Sequence, residues 1–318
     1  MGKVAMLLAL LISLEGLSQD TMGVSKDKTA ETTQRKKTTD YIWIFSAPKV
    51  VNSNTVELLP KGILEFRVTH NFGDIAGDNG GIKNFFGLDN ATDVRIGFQY
   101  GLSKRINIIA ARAKGASIVQ QLYEVGIKYR LMQQANDSKH PLSVALFANN
   151  VVSTMKANNA AGQENSFDNF SDRLSQTLQL LIARKFGNNI SLQVAPTLVN
   201  RNYVVAGDDK TIFALGGAFR LPVKGKFSLL LDYFHSFRSQ ESIDVFKAQD
   251  IRFYDAIGVG IEILTAGHVF HLNFTNATEI LENRFIPRTI TSWGKGQYRW
   301  GFTISRDFDL LWKKKNRK

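Results

Sequence analysis

From Lys61 onward, apolar and polar residues alternate with a period of two. Over Ile63–His70 the apolar positions are Leu64, Phe66 and Val68, and the residues between them are polar or charged. A period of two is typical of a β-strand with one apolar and one polar face. The pattern recurs over three further segments: 94–100, 123–130 and 297–304.

The length of these alternating segments distinguishes a soluble β-sandwich from a membrane β-barrel, since both folds show the alternation. A soluble antiparallel sandwich also has strands with one apolar face, but its strands average about five or six residues. The stripes here run for about nine to eleven residues, which matches a tilted strand that crosses a membrane. The pattern therefore predicts an all-β fold, a transmembrane antiparallel up-and-down β-barrel.

About twelve strands are predicted, an even number, as expected of such a barrel. The predicted strands are 62–70, 93–100, 105–113, 119–131, 142–151, 173–185, 190–199, 211–220, 227–236, 251–263, 268–275 and 297–308.

The predicted connections alternate between long and short, as in outer-membrane barrels with short periplasmic turns and long outer loops. Long loops are expected at 71–93, 152–172, 237–250 and 276–296, and short turns at 101–104, 187–189, 221–226 and 264–267. Two connections break the rule, because 114–118 is short for an outer loop and 132–141 is long for an inner turn.

The chain outside the predicted barrel divides into three parts. Residues 1–18 contain Lys3 and an apolar run too short to span a bilayer, which predicts a signal peptide and export. Residues 19–60 form a polar N-terminal segment, either periplasmic or plugging the barrel, with the more apolar stretch Tyr41–Leu59 as the part able to enter it. The barrel is expected over 61–309, and 310–318 form a basic tail.

Composition excludes several function classes. The net charge is +12, but Lys and Arg are spread through the strands and form no nucleic-acid patch, so no nucleic-acid partner is expected. The chain has no Cys, which excludes disulfides and cysteine-held metal or haem. No cofactor is expected.

Several stretches resemble an uncharacterised family of bacterial outer-membrane β-barrels. They are Lys61–Arg67, Phe85–Gly97, His271–Asn276, Phe285–Ile286 and Trp300–Arg306. The resemblance would cover about residues 45–308. It implies a barrel in the outer membrane, and it carries no established catalytic or binding residues.

Charged residues on the polar faces are the candidate lumen-lining residues, and the basic ones prevail. They are Arg67, Arg95, Arg105, Lys128, Arg130, Arg252 and Arg299, with Glu65, Glu124, Asp232, Glu262 and His271. In an open pore, fixed positive charge favours anions. Alternatively, these charges pair across strands and fill a closed interior.

The sequence does not predict an enzyme. The group Tyr233, His235, Ser236 and Ser239 comes nearest to a lipase site, but Ser236 points away from the face of His235, and position 237 is Phe237. A serine nucleophile needs a histidine within hydrogen-bond reach. His268 and His271 fall on opposite faces, so no metal site is expected.

The sequence thus predicts an outer-membrane barrel with porin-like passage or binding of small, preferably anionic solutes. The alternative is a non-conducting barrel that serves as a structural or partner-binding element. Outer-membrane lipid is the expected partner in either case, and no protein partner is predicted.

Overall fold

Residues 41–311, apart from 138, 159, 161 and 188, are described by a computed structural model. The expected leader at 1–18, residues 19–40 of the polar segment and residues 312–318 of the basic tail lie outside the described residues.

The described residues form twelve antiparallel strands in one closed barrel, in which each strand pairs with its chain neighbours and β1 pairs with β12. The strands are β1 (Ile63–Asp74), β2 (Ala91–Gly101), β3 (Ile106–Ala113), β4 (Leu122–Met132), β5 (Ser143–Ser153), β6 (Leu174–Phe186), β7 (Ile190–Arg201), β8 (Thr211–Lys224), β9 (Phe227–Phe237), β10 (Ala256–Leu264), β11 (Val269–Thr275) and β12 (Arg299–Asp309). The predicted fold class and strand number are confirmed.

Two α-helices lie in the loops of the described part of the chain, α1 (Gln240–Lys247) after β9 and α2 (Glu282–Arg288) after β11. Three short 3₁₀ segments lie at Ile82–Gly87, Phe170–Arg173 and Trp293–Lys295. No helix within the described residues is long and apolar enough to cross a bilayer.

The two faces of the sheet have opposite chemistry. On β4, Tyr123, Val125 and Ile127 are exposed on the outside, whereas Glu124 and Lys128 are buried inside the barrel. Burial of a charged side chain in a barrel wall requires partners in the lumen. The predicted alternation of an apolar outer face and a polar inner face is confirmed on this strand.

The largest difference from the predicted strand bounds lies at the start of β10. The alternation of Ile251 and Phe253 predicts a strand from residue 251, but β10 begins at Ala256. Residues 251–255 follow α1 without regular structure, and the backbone N–H of Tyr254 donates to the carbonyl of Thr289 in a loop instead of to a strand (2.8 Å). A short alternation cannot distinguish a strand from an irregular segment packed on one side.

Most of the described connections follow the predicted alternation of long and short, and the two predicted exceptions, 114–121 and 133–142, are present. One end of the barrel, here called the loop end, carries the connections 75–90, 114–121, 154–173, 202–210, 238–255 and 276–298. The other, here called the turn end, carries 102–105, 133–142, 187–189, 225–226 and 265–268.

The long turn at 133–142 has a structural role that explains its length. Ala135 forms a β-bridge with Tyr41, and the backbone N–H of Ile42 donates to the carbonyl of Gln134 (2.8 Å). This turn therefore holds the start of the described N-terminal segment at the turn end of the barrel.

Two segments enter the barrel from opposite ends. Residues 44–59, here called the inner segment, rise from the turn end and return to it before β1, and nearly all of their side chains are buried. Residues 276–289, here called the outer segment, fold into the barrel from the loop end and include α2.

The orientation of the faces can be tested with a charge placed on the outer surface. Ile127 lies near the middle of β4 and Leu131 near its end, and both are exposed on the outer face. Ile127→Arg should lower the free energy of unfolding by about 2–4 kcal/mol, because a charge at the bilayer midplane is costly. Leu131→Arg, its matched control, should cost about 0–1 kcal/mol near the interface.

Denaturant titration of the protein folded into lipid vesicles measures both values. Equal costs for the two substitutions would contradict this placement of β4 in the membrane.

Candidate functional site

The lumen wall carries charged side chains that are ion-paired with one another. Four arginines each meet a carboxylate on the same strand or a nearby one, at N···O distances of 2.7–2.9 Å. The pairs are Arg67–Glu65, Arg95–Glu124, Arg220–Glu262 and Arg299–Asp74. Charged groups buried in this way are held by mutual pairing, so little of their charge is available to a solute.

Lys128 binds the backbone of the inner segment. Its side chain is fully buried, and its Nζ donates to the carbonyl oxygens of Thr55 (2.9 Å), Pro48 (3.1 Å) and Glu57 (3.3 Å). An irregular segment inside a barrel has backbone carbonyls that no strand satisfies. Lys128 supplies donors to three of them.

Asp232 binds backbone N–H groups of the inner segment. The carboxylate accepts from the backbone N–H of Asn52 (2.5 Å) and of Ser53 (2.9 Å), and from the side-chain amide of Asn52 (3.0 Å). Charge-assisted hydrogen bonds of this kind are stronger than neutral ones. The tip of the inner segment is therefore fixed to β9.

Side-chain amides of the wall complete the polar contacts. The side-chain carbonyl of Gln193 accepts from the N–H of Val56 (2.9 Å), and that of Asn107 accepts from the N–H of Leu59 (2.7 Å). Ser191 donates its hydroxyl to the carbonyl of Ile44 (2.5 Å).

An apolar contact holds the opposite side of the inner segment. Its buried apolar side chains are Ile44, Phe45, Val50, Val51, Val56 and Leu58. They pack in one cluster with Ile109, Phe147, Leu181, Leu230 and four alanines of the wall. Burial of one such side chain contributes about 1.5–3 kcal/mol, so this packing adds substantially to the hydrogen bonds.

The outer segment fills the other half of the lumen. Phe285 of α2 packs edge to face on Phe234 of β9, with ring centroids 5.2 Å apart. Ala277 and Ile286 belong to the same buried cluster, with Val199 of the wall. Apolar packing thus fixes the outer segment against β7 and β9.

The two inserted segments meet near the middle of the barrel. Glu282 is fully buried and accepts from Lys49 Nζ (2.5 Å) and from the side-chain amide of Asn54 (2.9 Å) with the same carboxylate oxygen. The side-chain amide of Asn54 also donates to Gln179 of β6 (2.9 Å). These contacts join the inner segment, the outer segment and the wall in one network.

Arginines of the outer segment connect the loops above it. Arg284 donates to Glu164 (2.9 Å), to Glu279 (3.0 Å) and to the hydroxyl of Ser117 (2.7 Å). Burial alone would raise the pKa of Glu164, but the guanidinium of Arg284, with those of Arg288 and Arg201, lowers it to about 2. Glu164 is therefore charged at neutral pH, and it ties the loop 154–173 to the inserted helix.

The middle of the lumen is closed to water in this state. Lys128 and Gln179 are 0% exposed, and Asp232 and Glu262 are 1% exposed. Two cavities lined by described residues lie toward the two ends. One of about 410 Å³ lies at the turn end beside Trp43 and Asp307, and one of about 500 Å³ lies at the loop end beside His235 and Thr289.

Most of the predicted lumen residues lie where the alternation places them. Those buried in the lumen are Glu65, Arg67, Arg95, Glu124, Lys128, Asp232, Glu262, His271 and Arg299. Arg130 is half-buried at the turn end, where it donates to the carbonyl of Leu58 (3.4 Å).

Two predicted lumen residues lie elsewhere. Arg105 is exposed in the turn before β3, and Arg252 is exposed in the irregular segment before β10. Each was assigned to the start of a predicted strand, and β3 and β10 begin after these residues in the structure. The lumen therefore has two fewer basic groups than predicted, while Arg220 adds one basic group and Asp74 adds one carboxylate that were not predicted.

The sequence analysis missed the partners of the inserted segments. Gln179, Gln193 and Arg220 lie on the polar faces of their strands, so the alternation could have found them. Glu282 and Glu164 lie in loops, where no periodicity indicates burial.

A closed antiparallel barrel with an apolar outer surface and a charged, filled interior is a membrane β-barrel. The chain belongs to the family "Membrane bound beta barrel domain (DUF5777)", whose model matches residues 45–308. This confirms the resemblance found in the sequence. No curated protein matches the chain.

Three solved structures are similar at low sequence identity. The NanC porin is 9% identical, with a TM-score of 0.46, and the alignment covers 78% of this chain and 100% of the NanC chain. The KdgM porin is 8% identical, with a TM-score of 0.45 and coverage of 77% and 99%. An outer-membrane channel from Pseudomonas putida F1 is 13% identical, with a TM-score of 0.47 and coverage of 81% and 100%.

The loop network makes the stability of the loop end depend on pH. Because the pKa of Glu164 is lowered, the stability contributed by its charged form is present above the unfolded-state pKa of about 4.3. It is lost as the pH falls through about 2. Glu164→Gln should cost about 3–5 kcal/mol at neutral pH, because buried arginines lose their partner.

Hydrogen exchange of residues 154–173, measured from pH 7 to pH 2, tests this. The wild type should lose protection between about pH 4 and pH 2, and Glu164→Gln should be unprotected throughout. Glu241→Gln, an exposed residue of α1, is the control. An identical acid profile in wild type and Glu164→Gln would contradict the role of Glu164.

Proposed function

We propose that the protein is an outer-membrane barrel with porin-like passage of small solutes, and that the inner and outer segments close its lumen in the resting state. The leader expected at 1–18 and the alternation of short turns with long loops support the outer membrane as its location. On this proposal, the inner segment is a plug and passage requires it to move.

The observation that carries the proposal is the polar wall behind the inner segment. Lys128, Asp232, Asn107 and Gln193 contact that segment by hydrogen bonds that water can replace. A wall of this chemistry is suited to a water-filled path once the segment leaves. A barrel filled only by the side chains of its own wall can pack without such residues, whereas here the polar side chains face a segment that is not part of the wall.

The preference for anions remains a prediction from the sequence. The lumen arginines are paired with carboxylates, so an open pore would be selective only if movement of the plug separated these pairs. Lys49, which pairs with Glu282 across the two segments, would become free by such a movement.

The second candidate function is a non-conducting barrel that supports or binds a partner. It is favoured by the apolar cluster of Ile44, Phe45, Val50, Val51, Val56 and Leu58, because removing these side chains from the wall exposes apolar surface on both sides. On this reading the inner segment is a permanent part of the core.

A covalent clamp on the inner segment separates the two candidates. The chain has no Cys, so the double variant Val51→Cys with Gly260→Cys contains only these two cysteines and can form only one intramolecular disulfide. A Cβ placed on Gly260 of β10 would lie 3.0 Å from Cγ2 of Val51, within reach of a disulfide. In the oxidised form the inner segment cannot leave the wall.

Single-channel conductance in a planar bilayer with a salt gradient is the measurement. We expect openings in the wild type and in the reduced double variant, none in the oxidised double variant, and an anion-biased reversal potential. The single variants Val51→Cys and Gly260→Cys are the controls. Silence of every form would favour the non-conducting barrel, and openings in the oxidised form would contradict the plug.

A further inference from the structure

The barrel wall is open on one side at its loop end, between β9 and β10. The two strands pair only as far as Phe234 and Ala256, although β9 continues to Phe237, where it pairs with Phe213 of β8. Residues 251–255 form no backbone ladder with β9, and the backbone N–H of Tyr254 donates instead to the carbonyl of Thr289 after α2. The last residues of β9 therefore have no strand on this side.

A cavity of about 500 Å³ occupies this gap. Its volume lies within the range of small-molecule sites. Its apolar lining consists of Phe237, Ile243, Ile251, Phe253, Ile286 and Pro287. The lining thus combines outward-facing residues of the wall with residues of the outer segment.

The cavity lies beside the lipid-facing surface of the barrel. Tyr233 and Phe237 of β9 are 41% and 51% exposed on the outer face, directly above Leu231 and Leu229, which are also exposed there. Tyr233 donates its hydroxyl to Asp255, and the ring of His235 pairs with the same carboxylate (2.9 Å). Tyrosine with a polar partner at this height is typical of the membrane interface.

Two basic side chains line the cavity without an acidic partner. Lys247 and Arg252 are exposed, and neither forms an ion pair with any described residue. The third basic group, Arg238, is paired with Asp208 (2.7 Å) and lies 3.5 Å above the ring of Phe253. The lining therefore has an excess of positive charge where the gap meets solvent.

Helix α1 presents both kinds of residue to the cavity. Ile243 and Lys247 are four positions apart, so they lie on the same face of the helix. Phe246, on another face, is buried against Phe253 with ring centroids 4.9 Å apart, which fixes the helix in this orientation. The apolar side chain and the charged one are thus held side by side by the packing of the helix.

We propose that this lateral cavity binds an anionic lipid of the surrounding membrane, with an acyl chain among Phe237, Ile243 and Ile286 and the acidic headgroup at Lys247 and Arg252. The apolar lining suits a hydrocarbon chain. Unpaired basic groups at the interface attract anionic headgroups. The site assigns a role to Arg252, which lies outside the lumen, and it does not depend on whether the barrel conducts.

Lipid retention by the purified full chain tests the proposal without any measurement of conductance. The protein in detergent micelles is mixed with phosphatidylglycerol or with phosphatidylcholine, and the bound lipid is counted by native mass spectrometry. The wild type should retain one phosphatidylglycerol, roughly tenfold more tightly than phosphatidylcholine, as expected from two basic groups near a headgroup.

Two sets of variants separate the headgroup from the chain. Lys247→Ala with Arg252→Ala should bring the ratio of the two lipids close to one. Ile243→Trp should reduce retention of both lipids by filling the cavity, and this exposed position tolerates a larger side chain. Lys156→Ala with Lys210→Ala, two exposed lysines of the loop end outside the cavity, is the matched control and should leave the ratio unchanged.

The proposal fails if Lys247→Ala with Arg252→Ala leaves the ratio unchanged, or if the control pair lowers it equally. Unchanged retention in Ile243→Trp would also overturn it. Retention of free oleate without retention of phosphatidylglycerol would show a fatty-acid site in place of a membrane-lipid site.

Discussion

An irregular backbone inside a membrane barrel must find partners for its N–H and carbonyl groups, and the charged wall of this protein supplies them. Lys128 donates to three carbonyls of the inner segment, and Asp232 accepts from two successive N–H groups at its tip. Each charge is fully buried, so each would be costly without the segment it holds. The wall and the inner segment therefore stabilise each other.

This mutual dependence links the inner half of the lumen to the outer half. Lys49 and Asn54 of the inner segment share one carboxylate, that of Glu282 in α2. The same helix carries Arg284, which reaches Glu164 in a loop of the outer rim. A movement of the inner segment would leave Glu282 with fewer partners and so loosen the outer segment as well. Closure of the lumen and order in the loops are thus aspects of one network.

The architecture could be predicted from the sequence because membrane strands are long and their period is two. The twelve strands, the faces of Glu124 and Lys128 and the alternating connections all follow from that pattern. The start of β10 and the location of Arg252 could not be predicted, because residues 251–255 show the apolar and polar alternation of a strand but do not pair with β9. Partners such as Glu282 lie far away along the chain, and no local pattern links them to the residues they contact. For the same reason, the sequence did not decide whether residues 44–59 enter the barrel or lie outside it.

The central claim is that the wall holds the backbone of the inner segment. Hydrogen–deuterium exchange of residues 44–59 in the folded protein tests it most directly, because the N–H groups of Asn52, Ser53 and Val56 each donate to a wall side chain. We predict slow exchange of these three amides, similar to that of strand amides. Exchange as fast as in an unstructured chain would contradict the account.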